Sequence, residues 1–67
     1  MSVAKVIEVS SSSPVSFDDA VEQGIMRTCK TVEGVKGAWI QEQTLVVENN
    51  QVIEYRVNMK VTFVLND

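Results

Sequence analysis

From Ile53 onward the chain alternates: Ile53, Tyr55, Val57, Met59, Val61, Phe63 and Leu65 are separated by Glu54, Arg56, Asn58, Lys60, Thr62 and Val64. A period of two sends these sets to opposite faces of a β-strand, so the pattern predicts one long strand with a core face and a polar face. Before it, Ala38 to Glu48 predicts another strand, and Asn49-Asn50 between the two apolar segments is a pair able to adopt positive φ. Together they read as a β-hairpin. Near the start, Val3 to Val9 is β-branched and apolar with Lys5 and Glu8 interleaved, which predicts a first strand with Ile7 and Val9 facing the core.

The middle of the chain changes period. Phe17, Val21, Ile25 and Val32, with Ala20, Gly24 and Thr28 beside them, recur at steps of three and four and form the apolar stripe of a helix. Ser16 is placed to cap it, with Asp19 reaching back and Asp18 and Asp19 at the positive end of the dipole. Gly34 is placed to end it in a left-handed conformation, with Lys30 near the negative end. Ser10 to Pro14 reads as a polar loop between strand and helix. Gly24 sits on the buried stripe, either because another backbone approaches there or simply as a tolerated glycine. The order is β-α-β-β: an α+β fold in which a three-stranded antiparallel sheet packs around one helix, with the last strand expected in the middle.

Size then sharpens the picture. With 67 residues this is one domain, spanning 1–67, in the range where a single core is marginal and disulfides, a metal or oligomerisation must help. Cys29 is the lone cysteine and there is no histidine, so an internal disulfide and a Cys/His zinc site are excluded. A homo-oligomer is the expected solution. Six Lys and Arg against nine Asp and Glu argue against nucleic acid as a partner. No apolar run approaches the roughly 20 residues of a membrane span and the N-terminus has no signal-like pattern, so a cytoplasmic protein without a membrane partner is expected.

No catalytic constellation is visible, and the expectation is a protein that is not an enzyme. Cys29 has no local base or basic cluster to activate it and reads as packing. The glycines at 24, 34 and 37 fit neither a phosphate loop nor a dinucleotide fingerprint. Asp18 and Asp19 are explained by the capped first turn rather than by acid-base or cation chemistry. Trp39 stands apart: it opens the second strand and, if that strand is regular, shares a polar face with Gln41 and Gln43. A tryptophan beside amides offers a stacking plane and edge-reading groups for a flat heterocycle; a core or subunit-interface tryptophan is the competing reading.

Three segments in order, Ser-Ser-Pro-Val-Ser-Phe-Asp-Asp-Ala-Val, Ala-Trp-Ile-Gln-Glu-Gln and Tyr-Arg-Val-Asn-Met-Lys-Val-Thr-Phe-Val-Leu, resemble the dodecin family over nearly the entire chain. The resemblance implies a hollow homododecamer that binds FMN, riboflavin or a related flavin without turning it over, for storage, buffering and photoprotection. Trp39 matches the tryptophan on which the flavin stacks. Arg56, after Tyr55, stands where well-known flavin-binding members have glutamine; arginine only donates hydrogen bonds whereas glutamine also accepts them. The expected flavin contacts are therefore Trp39, Arg56, Gln41 and Gln43. The alternative is a structural dodecin-like oligomer that binds no flavin, or that holds ions or another cofactor such as coenzyme A.

Overall fold

The computed structural model describes residues 2–65; the outermost positions of the expected 1–67 domain, Met1, Asn66 and Asp67, lie outside the described residues. Strand β1 (Ala4–Ser13) leads to helix α1 (Phe17–Cys29), then to strands β2 (Val35–Glu48) and β3 (Gln51–Val64). The sheet has the order β1-β3-β2, and both pairings are antiparallel. The most regularly alternating strand is thus the central one, hydrogen-bonded on both edges. Asn49 and Asn50 adopt φ 52° and 62°, the two positive values that a tight hairpin turn needs to match strand twist. No helix among the described residues is long and apolar enough to cross a membrane.

One face of β3 builds the core. Val57, Met59 and Val61 are buried with Ala20 of α1, and Val9, Phe17, Val21 and Ile25 pack around them. Ile7 and Val9 lie opposite Val61 and Met59, on the expected core face. Phe17 and Tyr55 close one end of this cluster edge to face, with ring centroids 5.2 Å apart.

The expected loop over Ser10 to Pro14 is corrected at its first four residues. Ser10, Ser11, Ser12 and Ser13 continue β1, opposite Asn58, Val57, Arg56 and Tyr55. A ready-made neighbour supplies ladder bonds that outweigh the local preference of serine for turns. Pro14, which has no N–H to donate, ends the pairing. Ser13 is buried: its Oγ donates to Asp19 Oδ2 at 2.6 Å and accepts from the Val15 N–H at 3.0 Å. Asp19 therefore reaches back to Ser13, while Ser16 caps the helix by accepting from the Asp19 N–H at 3.0 Å.

The helix also ends earlier than expected. Lys30 is its C-cap, and Val32, assigned above to the apolar stripe, lies beyond it, its N–H donating to the Thr28 carbonyl at 3.0 Å. Gly34 does take a left-handed conformation, φ 79°, but as the entry to β2. The Val64 N–H donates to its carbonyl at 3.0 Å, and a Cβ on Gly34 would stand 2.9 Å from the Val64 oxygen. Gly24 is required by contact, though with side chains rather than backbone: a Cβ there would lie 2.6 Å from Met59 Cε and 3.0 Å from Ser11 Cβ.

The subunit is elongated, 52 × 19 × 13 Å. Its radius of gyration is 13.9 Å, against about 11 Å for a compact chain of this length. Its accessible surface is 4968 Å², above the roughly 4200 Å² of a compact monomer of this mass. Much of the excess is apolar, because Leu45, Val47, Val52 and Ile53 on the far half of the hairpin are exposed.

Two substitutions test this core. Gly24→Ala is expected to lose up to about 2 kcal/mol, the difference between overpacking at Met59 and Ser11 (about 1–3 kcal/mol) and a helix-propensity gain of roughly 1 kcal/mol. Ser13→Ala is expected to lose about 1–3 kcal/mol by leaving the Val15 amide and Asp19 without their partner. Both are read as shifts in the urea midpoint at fixed protein concentration; unchanged midpoints would contradict the packing described.

Candidate functional site

Among the described residues, no element of the same subunit packs on the face of the sheet opposite α1. The β3 residues pointing there are Glu54, Arg56, Asn58, Lys60 and Thr62, the set that alternates with the core residues. Across the sheet they form rows: Glu8, Lys60 and Trp39; Ser10, Asn58 and Glu42; Ser12, Arg56 and Thr44. Residues opposite one another in an antiparallel pair share a face, so Trp39 shares the open face with Arg56, two rows along. Its side chain is half in solvent, 51% exposed.

The expected grouping of Trp39 with Gln41 and Gln43 is corrected by a bulge. Ile40 pairs with Met59 and Glu42 with Asn58, leaving Gln41 as the extra residue. One inserted residue reverses the alternation beyond it. Gln43 falls opposite Val57, on the helix side of the sheet, and Glu42 and Thr44 take the places on the Trp39 face that regular alternation assigned to Gln41 and Gln43.

Beside the Trp39 row lies a concavity of about 360 Å³ whose walls include Ser10, Ser12, Thr44, Arg56 and Asn58. Its chemistry is that of hydroxyls, one amide and one guanidinium. The Ser10 hydroxyl donates to Asn58 Oδ1 at 2.7 Å, which fixes that oxygen and leaves the Asn58 NH₂ to donate outward. Arg56 is held by Glu54: Nε and Nη2 both donate to Glu54 Oε2, at 3.2 and 3.1 Å. The remaining guanidinium N–H groups stay available to a ligand. Asn58 was legible as a member of the polar face of the last strand; Ser10 and Ser12 were hidden by the loop reading, and Glu42 and Thr44 by the bulge.

The site thus combines a half-exposed indole with a polar trough on one sheet face. The Dodecin family model matches residues 3–66. The chain belongs to the dodecin family. It is 33% identical over 63 residues to the calcium dodecin of Mycobacterium tuberculosis, covering 94% of this chain and 89% of that protein. Among solved structures, the dodecin from Streptomyces davaonensis superposes with a TM-score of 0.94 at 26% identity, covering 98% of this chain and 97% of that one. The crystal structure of the calcium dodecin of Mycobacterium tuberculosis, described as calcium-chelating with a novel calcium-binding site, gives a TM-score of 0.84 at 30% identity over 96% of this chain and 91% of that one. A single-residue variant of the Thermus thermophilus dodecin shares the fold at a TM-score of 0.94 and 24% identity, covering 100% of this chain and 100% of that one.

Within this dodecin the site residues are held by the most secure part of the fold, since each row is centred on β3, which is paired on both sides. Trp39 is placed just before the bulge, where the strand twist increases. Among the described residues, no group of three or more His, Cys, Asp or Glu is arranged to hold a metal ion.

Proposed function

We propose that this dodecin is a non-enzymatic flavin carrier of the cytoplasm, active as a closed homo-oligomer of dodecameric form, with FMN or riboflavin stacked on Trp39. The observation that carries the reading is Trp39 itself, half-exposed on a sheet face and flanked by the trough of Arg56, Asn58 and the serines. A large indole left in solvent gains by covering its plane, and a planar heterocycle does this while its polar edge meets hydrogen-bonding groups. Arg56 and the Asn58 NH₂ are donors suited to flavin carbonyls. Gln41, at the bulge, remains a candidate contact; Gln43 becomes one only if ligand reaches the helix side of the arm. Contact with an electron-rich indole quenches excited flavin, which is the physical basis for storage with photoprotection.

Self-assembly is supported by the elongated shape and by the exposed Leu45, Val47, Val52 and Ile53. An apolar arm of this kind is normal at subunit contacts and unusual on a monomer. Cys29, read from the sequence as a packing residue, is instead exposed, and a free thiol is in keeping with a reducing compartment. The name of the mycobacterial relative raises calcium as a second ligand. Calcium takes six to eight oxygens; what favours flavin as the reading is the half-exposed indole of Trp39 beside a trough of hydrogen-bonding groups.

Titration of riboflavin or FMN into the purified protein is expected to quench flavin fluorescence. Trp39→Ala should weaken binding by about 5- to 150-fold, the range for loss of one aromatic stacking partner at roughly 1–3 kcal/mol. Unchanged flavin fluorescence would overturn the proposal, as would full binding by the alanine variant. Light scattering should give the mass of a large closed oligomer, and a stable folded monomer would contradict the assembly.

A further inference from the structure

The trough that reads the ligand edge carries a charge arrangement that bears on which flavin it takes. The flavin ring system is the same in riboflavin and FMN; the two differ by a phosphate carrying close to two negative charges. Arg56, whose free N–H groups suit the ring carbonyls, has its own charge balanced by Glu54. Both Nε and Nη2 donate to Glu54 Oε2, at 3.2 and 3.1 Å, with side chains 57% and 35% exposed. Lys60, the other cation in these rows, lies directly opposite Glu8 on β1. Glu42 faces Asn58 in the row between them and has no basic residue opposite it. The rows from Glu54 to Lys60 therefore hold three carboxylates, Glu8, Glu42 and Glu54, against two cations. Lys36, the extra residue of the bulge between Val35 and Gly37, lies beyond them.

We infer that Glu54 is a specificity-determining residue: by supplying the carboxylate that leaves these rows net acidic it makes the site select the uncharged flavin, riboflavin, over phosphorylated FMN. The inference rests on the flavin reading above. A carbonyl edge needs only an N–H pointed at it, and Glu54 leaves such groups on Arg56 while fixing the orientation of the guanidinium plane. The phosphate of FMN is carried on the ribityl chain, away from the carbonyl edge, and what these rows present to it is their one carboxylate in excess of cations. Exposed ion pairs contribute little to stability, so replacing Glu54 changes the charge of the face with little effect on the fold. Assembly of identical faces adds acidic excess and does not cancel it.

The test is a paired titration of ligand-free oligomer with riboflavin and with FMN at low salt, followed by flavin fluorescence, in the wild type, Glu54→Gln and Trp39→Ala. The wild type is expected to half-saturate with riboflavin at a concentration about fivefold or more below that for FMN, as expected for weak, partly screened repulsion. Glu54→Gln should bring the two within about twofold, and so should wild-type protein at roughly 1 M salt, where charges are screened within about 3 Å. Trp39→Ala should weaken both flavins alike. Equal or tighter binding of FMN by the wild type would overturn the selectivity while leaving the flavin reading intact. A riboflavin preference that survives Glu54→Gln unchanged would remove Glu54 from the explanation. Quenching of neither flavin would overturn the flavin reading, and this inference with it.

Discussion

One helix has to cover a sheet that is too long for it. The 13 residues of α1 rise about 1.5 Å each and reach about 20 Å, while the 14 residues of β3 at about 3.3 Å each reach roughly 46 Å. The helix protects the part of β3 that carries Val57, Met59 and Val61, while Val52 and Ile53 at its hairpin end are left exposed. The short core, the bare hairpin arm and the exposed sheet face all follow from that mismatch. The central strand is paired along both edges, yet its burial is incomplete.

The same mismatch separates two tasks along one strand. Tyr55, Val57, Met59 and Val61 of β3 face α1 and hold the subunit together, while Glu54, Arg56, Asn58, Lys60 and Thr62 between and beside them form a polar surface on the other face. A ligand face built on the back of the core strand inherits its rigidity, because side chains standing on a strand paired at both edges have little backbone freedom. Arg56 illustrates the arrangement: its neighbours Tyr55 and Val57 point into the core side, while its guanidinium is oriented by Glu54 on the other.

The sequence made the order of elements, the hairpin turn and the central position of β3 legible, because each rests on a strong local signal: a period of two, an Asn-Asn pair, a capped helix start. What it hid has a common cause. The strand character of Ser10 to Ser13 comes from pairing with a segment more than 40 positions away, so no local property of serine reports it. The bulge at Gln41 comes from the way β2 wraps past Met59 and Asn58, and it moved Gln43 off the face of Trp39. Trp39 and Arg56 kept their expected face because one precedes the bulge and the other stands on the regular strand. The early end of α1 at Cys29 was masked by Val32, whose apolar character continues the helical spacing after the helix has stopped.

The register also sets an order of events in making the protein. The hairpin of β2 and β3 closes through a two-residue turn, whereas β1 must find Val64 with Ala4 and Tyr55 with Ser13, across nearly the whole chain. Short-range pairings form before long-range ones, since loop closure becomes more costly with separation. During synthesis β1 and α1 leave the ribosome first and wait, with Ile7, Val9, Val21 and Ile25 uncovered, until β3 arrives. Of these three strands the one made first is thus the last to be seated, and its edge stays unmatched and sticky until β3 has been made.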